Sequence, residues 1–257
     1  MIYGITTSAL AAFMQEAGIN VTANNLANLR TTGFRADTIA FQERLVEALE
    51  DRPDWQYYNA TVDRYGGAPF IHKILFDRNP GPIEESGKPL DLAIDGKGFF
   101  AVRSLDTGKV FYTRAGNFRF DHEGRIVTAN GKYQLLTPDR EGILLPPEML
   151  AQKITVDETG AIFLGTVQVT RLGLFDFKDY HKLLKFRDTL FEDVSGTPEP
   201  ATGRIKQGFL EGSSAEPFRE LSNMIGQLRI LGFNIQMIRF QDSTLERLIN
   251  DMSRLQR

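Results

Sequence analysis

The chain has 257 residues, 42% apolar and 25% charged, with a formal net charge of −3 and no cysteine. That length and apolar share can build one large domain or two smaller ones around a real core. The near-neutral balance gives no footprint for nucleic acid or an anionic membrane, and the missing thiols exclude disulfides, thiolate metal ligands and a cysteine nucleophile.

Residues 1–29 carry a single charge, Glu16, which invites a signal-peptide reading. There is no basic start, however, and Gln15, Asn20, Thr22, Asn24 and Asn25 interrupt the apolar run a leader needs. No other stretch reaches the roughly 18 to 20 apolar residues of a membrane span. Ile2 to about Asn28 reads instead as a helix, with Leu10, Met14, Ala17 and Val21 along one face. Its small neighbours Ala9, Ala11, Ala12 and Gly18 let another helix approach closely. The helix runs into Asn24, Asn25, Leu26 and Asn28, then Gly33, Phe34 and Arg35. Short amides bond nearby backbone and tolerate left-handed dihedrals, so this run marks a helix end turning sharply into extended chain. The pattern reads as an assembly joint rather than an active site.

From Phe34 to about Leu49 the spacing of Phe41, Leu45 and Leu49 fits an extended arm or a short helix. The aromatic stretch from Trp55 to Tyr65 is a surface loop or an interface, where rigid rings bury area while their polar ends find partners. From about Phe70 to Leu210 the period changes to two and turn residues recur. Phe118 and Phe120 alternate before Asp121-His122-Glu123-Gly124, and Ile154 and Val156 before Asp157-Glu158-Thr159-Gly160. Ile162 and Leu164, then Val167 and Val169, alternate in turn. Short strands joined by glycine-containing hairpins predict an antiparallel β domain. The segment from His181 to Ser195 has no clear period, and Gly196 to Pro200 reads as a loop.

The last helix has the strongest period. Ser213 or Ser214 can cap it, Glu216 is spaced for a capping box with Ser213, and Pro217 falls in the first turn. Leu221, Met224, Leu228, Leu231, Ile235, Ile238, Asp242, Leu245, Ile249, Met252 and Gln256 alternate in steps of three and four. That is a coiled-coil type of seam, on a helix on the order of 60 Å long at 1.5 Å per residue. A single intramolecular pairing leaves much of it uncovered, so association with other copies is expected. Asp242 is either an exposed break in this seam or a polar contact that sets register.

Three blocks in order carry a resemblance. They are Asn24-Asn25-Leu26-Ala27-Asn28 through Gly33-Phe34-Arg35; Leu90 to Phe100 with Tyr112-Thr113-Arg114-Ala115-Gly116-Asn117-Phe118 and Gly124 to Thr128; and Gln207-Gly208-Phe209-Leu210-Glu211-Gly212-Ser213-Ser214. Together they resemble the signatures of the bacterial flagellar basal-body rod and hook proteins. Gln227 to Asn234 departs from that family's pattern, keeping Gln227 and Asn234 at its ends. The resemblance implies an α+β chain in four segments: a first helix and signature (1–35), an extended arm (36–69), a central antiparallel β domain (70–212) and a coiled-coil helix (213–257). It implies a structural rod subunit, not an enzyme, that leaves the cell without a cleaved signal and polymerises in the periplasmic space. The expected partners are further copies, other rod and hook axial proteins and the surrounding basal-body rings, with no cofactor, nucleic acid or membrane insertion. The expected interface is Leu10, Met14, Ala17, Val21, Asn24, Asn25, Leu26, Asn28, Gly33 and Phe34, with Leu221, Met224, Leu228, Leu231, Ile235, Ile238, Leu245, Ile249 and Met252.

Rival chemistry is weakly supported. Gly96-Lys97-Gly98 approximates a dinucleotide glycine motif, but Phe99-Phe100-Ala101-Val102 reads as a strand where a phosphate site needs a helix N-terminus. His72, His122 and His181 are not at metal-ligand spacing. Asp121-His122-Glu123-Gly124 lacks the acidic ligands of a calcium loop, and no nucleophile elbow or defined carboxylate pair nominates catalytic residues. The competing class is an enzyme or carbohydrate-binding module on the β domain, acting at the cell wall. It requires a pocket with convergent titratable groups.

Overall fold

The computed structural model describes residues 2–43, 69–145, 154–187, 189–194 and 198–255. The aromatic stretch from Trp55 to Tyr65, together with Leu45 and Leu49, lies outside them, as do Gln256 and the side chain of Met252. The chain is α+β and divides into two compact units, one of residues 1–26, 37–75 and 217–257, the other of residues 27–36 and 76–216.

The first unit holds the helices α1 (Ile2–Ala27) and α2 (Pro217–Leu255) and a two-stranded sheet of β1 (Asp37–Glu43) and β2 (Pro69–Phe76). The extended alternative for the segment after Phe34 is therefore the one adopted through Glu43. The two helices run antiparallel: Gly4 faces Gln241, Gly18 faces Gln227, and Asn25 meets Glu220. The glycines stand two heptads apart, as do the glutamines. A Cβ built at Gly18 would lie 3.0 Å from the Gln227 Nε2, and one at Gly4 would lie 2.8 Å from the Gln241 Nε2, so the absent side chains make room for long amides. Thr22 Oγ1 donates to Gln227 Oε1 at 3.1 Å.

These contacts resolve how α2 divides its apolar residues. Met224, Leu231, Ile238 and Leu245 are half-buried, in register with the polar row Glu220, Gln227, Asn234 and Gln241. Leu221, Leu228, Ile235 and Ile249 are exposed on one flank, where Asp242 is exposed too. Ile230, Phe233, Met237 and Phe240 recur at steps of three and four on the opposite flank and are also exposed. The start of α2 differs from expectation. The Ser214 hydroxyl accepts the Ala36 N–H and the Ser213 hydroxyl accepts the Ala215 N–H, so neither serine caps the helix, which begins at Pro217.

The second unit is antiparallel β. Its strands are β3 (Ile83–Glu85), β4 (Leu92–Asp95), β5 (Phe99–Ser104), β6 (Val110–Thr113), β7 (Phe118–Phe120), β8 (Ile126–Thr128), β9 (Tyr133–Leu135), β10 (Ile154–Val156), β11 (Ala161–Leu164) and β12 (Val167–Arg171). They continue with β13 (Leu174–Asp176), β14 (Leu183–Arg187), β15 (Leu190–Asp193), β16 (Glu199–Pro200), β17 (Arg204–Gln207) and β18 (Phe209–Glu211). The main sheet runs β14-β15-β6-β5-β9-β8-β7, with β13 bridging β5 and β16. β10-β11-β12 form a second sheet, and β17 and β18 return to pair with β4 and β3.

The hairpin turns follow their residues. Asp121 N donates to Arg125 O at 2.9 Å and Gly124 has φ +79°, which closes β7 onto β8. Asp157-Glu158-Thr159-Gly160 closes β10 onto β11 in the same way. The segment from His181 onward, without a readable period, forms the hairpin β14–β15, and the expected loop near Pro200 contributes β16. Strand β5 is buried on both faces: Phe100 and Val102 enter one apolar cluster with Leu135, Ile143 and Ile205, while Phe99 and Ala101 enter another with Tyr112, Phe175 and Phe191. Such a continuous apolar strand belongs at a sheet centre. Gly96-Lys97-Gly98 links β4 to β5 with both glycines at positive φ, and a strand follows where a phosphate site would need a helix.

Candidate assembly joint

The asparagine run ends α1 by reaching across to the start of β1. Asn25, 2% exposed, donates from Nδ2 to Asp37 O at 2.9 Å while its Oδ1 accepts Asp37 N–H at 2.8 Å. One side-chain amide thus occupies both hydrogen-bonding groups of one residue, as a neighbouring strand would. Asn25 Nδ2 also reaches Glu220 Oε2 at 3.4 Å, and Asn24 Nδ2 donates to Asp37 Oδ2 at 3.1 Å. Asn28 is the local cap: its carbonyl accepts Thr31 N–H at 3.1 Å and its Oδ1 accepts the Thr31 hydroxyl at 2.9 Å.

Within the β unit, the next residues are locked to the block at Glu211. Gly33 has φ +67°, and a Cβ there would sit 2.3 Å from Ala115 N, so both backbone angle and space require glycine. Gly33 N donates to Glu211 O at 2.7 Å, and Ser214 N donates to Phe34 O at 3.0 Å. Phe34 is fully buried, with the Lys185 ammonium 4.0 Å from its ring centre.

The centre of this joint is a buried charge triad. Arg35 Nη2 meets Glu211 Oε1 at 2.9 Å, and Arg114 Nη1 meets Glu211 Oε2 at 3.0 Å. Gly81 N–H adds a third donor to the carboxylate at 3.2 Å. Arg114 also donates to the carbonyls of Ile94 at 3.3 Å and Gly96 at 2.8 Å, and its guanidinium lies 5.2 Å over the Phe99 ring. Arg35 donates to the Asn79 carbonyl. Burial lowers the Arg35 pKa, Glu211 opposes that shift and Arg114 adds to it. An arginine nevertheless stays charged at any physiological pH. Two buried cations on one anion form a holding device, and both oxygens of Glu211 are engaged.

Of the expected interface residues, Met14, Asn25, Gly33 and Phe34 are buried, whereas Ala17, Val21, Asn24, Leu26, Asn28, Met224, Leu231, Ile238 and Leu245 are half-buried. Leu10 is exposed, like Leu221, Leu228, Ile235 and Ile249. Sequence reasoning quoted Arg35, Arg114 and Glu211 inside the three blocks but assigned none of them a role. No local signal sets them apart, since the same blocks also carry Arg30, Asp91, Asp95, Lys97 and Arg125.

A family model described as the flagellar hook protein FlgE/F/G D1 domain matches residues 93–164, which hold the centre of the β unit. The chain is 32% identical to the flagellar basal-body rod protein FlgF of Caulobacter vibrioides over 80% of each chain. It is 30% identical to the rod protein FlgG of Agrobacterium fabrum, over 89% of this chain and 91% of the relative. With FlgG of Buchnera aphidicola it shares 26% identity over 96% of its length and 99% of the relative's. With the signature blocks drawn together at Glu211 and the likeness running nearly end to end, the chain belongs to the flagellar basal-body rod protein family.

Proposed function

We propose that this rod-family subunit is purely structural and polymerises through its terminal helices into a helical tube that transmits torque and conducts exported subunits. The observation that carries the reading is α2: the antiparallel partner α1 leaves apolar rows exposed on two opposite flanks. At about 25 cal/mol per Å² of apolar area, even a few hundred Å² favours association by several kcal/mol, before the opposing cost of ordering. The two rows differ in composition, Leu221, Leu228, Ile235 and Ile249 against Ile230, Phe233, Met237 and Phe240. Contacts between unlike faces generate open helical polymers when rotation does not close.

In this reading residues 1–35 and 213–257 are the assembly segments, paired in coiled-coil fashion, with 36–69 as an arm and 70–212 as the body. The partners are copies of the chain and other axial proteins of the rod and hook, enclosed by basal-body rings. The site of assembly is the periplasmic part of the basal body, reached without a cleaved signal. The names of the relatives support this, and no described helix is long and apolar enough to cross a membrane. Replacing Phe233 and Phe240 together with serine tests it by sedimentation and electron microscopy. The variant should stay dispersed at concentrations where the parent forms filaments, with its β spectrum unchanged; filaments of normal yield would sink the proposal.

A further inference from the structure

Arg35, Arg78, Lys97 and Arg114 line a cavity of about 390 Å³ in the β unit, with the rings of Phe99 and Tyr180 among its other walls and no acidic residue in the lining. Behind it, Glu211 faces two of these guanidiniums with one negative charge, and its oxygens are already taken by Arg35, Arg114 and Gly81. Asp77 lends further negative potential to Arg35. Arg114 is 3% exposed, yet its Nε–H has no acceptor among the described residues. A buried guanidinium donor without an acceptor is costly and calls for an oxygen. No oxygen of the described residues, that of Tyr180 included, accepts it; the Tyr180 hydroxyl donates to Asp176 Oδ1 at 2.5 Å, and the Arg78 guanidinium lies 5.6 Å over the Tyr180 ring.

We propose that this cavity is a binding site for a carboxylate. The Arg114 Nε–H takes one carboxylate oxygen, Arg78 and the exposed Lys97 add positive charge to the walls, and the Phe99 and Tyr180 rings accept a short hydrocarbon stem. A hydrated phosphate would gain less from those rings. The carboxylate comes from an acidic side chain of a neighbouring copy or from a free small acid. The first source rests on the polymer reading above, the second does not. Acidic side chains are plentiful on a chain with 33 of them against 30 basic ones.

The test uses the full chain and the variant Arg78→Gln/Lys97→Gln, which leaves the Arg35, Arg114 and Glu211 triad intact. Thermal unfolding is followed in sodium acetate, sodium chloride and sodium phosphate of equal ionic strength, and assembly is followed by sedimentation. A rise in Tm in acetate over both other salts, lost in the variant, establishes a site open to free carboxylates. Equal Tm values, with assembly weakened in the variant and unchanged in the parent by phosphate, establish a neighbour's side chain as the occupant. Equal Tm values with normal assembly of the variant overturn the proposal, as does a rise in phosphate equal to that in acetate. A parent that never assembles defeats the polymer reading alone, and the acetate comparison then decides the site by itself.

Discussion

Glu211 is held between two guanidiniums and cannot lose its charge without stranding both. Removing one member of a buried ion pair typically costs about 3–5 kcal/mol, because the partner is left charged in a poorly solvating place. Glu211→Gln should therefore lower the stability of the β unit by an amount of that order, measured by urea unfolding; a loss under about 1 kcal/mol would mean that the triad is hydrated. Tyr180 gives a second expectation. Burial, followed by its hydrogen bond to Asp176, pushes its pKa up to about 12, against the slighter opposing pull of Arg114 and Arg35. The folded chain then keeps a proton that the unfolded chain releases near pH 10, so this contribution is complete below about pH 10 and is lost as pH rises through about 12. Tyr180→Phe should flatten the fall in stability across that window, which alkaline denaturation of both proteins would reveal. The charged residues of the triad were plainly visible in the sequence, but Arg114 and Glu211 stand 97 positions apart. No local pattern pairs residues at that distance, because the pairing depends on how the intervening strands return.

Helix ends and strand starts meet through side chains here. Asn25 satisfies both backbone groups of Asp37, so Asn25→Ala removes two hydrogen bonds from a partly buried donor and acceptor, at about 1 kcal/mol each. The sensitive readout is amide exchange at Asp37, whose N–H should lose its protection; unchanged exchange would show that water substitutes freely. The sequence announced a helix end at the asparagine run, since short amides and Gly33 favour it locally. It did not announce the reach to Asp37, which requires β1 to begin beside the helix. The hairpins at Gly124 and Gly160 were legible for the converse reason: turn, register and alternation all lie within a dozen residues. The hairpin β14–β15 was not, because Leu184 and Phe186 are exposed on a strand whose other residues are mixed, and alternation is lost.

If the terminal helices drive assembly as proposed, the helices and the β unit carry separable duties. Removal of residues 217–257 spares Ser214, whose contacts with Ala36 and Phe34 close the joint of the β unit. The truncated protein should keep its β spectrum and cooperative unfolding while failing to enter filaments. Collapse of the β fold would show that α2 is needed for more than assembly. Because isolated helices are marginal in water and α2 exposes apolar rows on two flanks, helix content should also rise when the intact chain assembles. Circular dichroism of dispersed and assembled protein measures this directly, and equal helix content in both would contradict it.

Properties that repeat along the chain could be read from composition and spacing alone. They include two terminal helices, an antiparallel β middle and glycine turns. Each arises from interactions between residues near one another in sequence, where backbone geometry converts spacing directly into a face or a turn. Folding in three dimensions was needed to bring Arg35, Arg114 and Glu211 into one ion cluster. The same is true of α2, where contact with α1 separates a polar row opposite Gly4 and Gly18 from two uncovered apolar flanks. Charges and helix faces select partners by position in space, and that position depends on the path of the whole backbone.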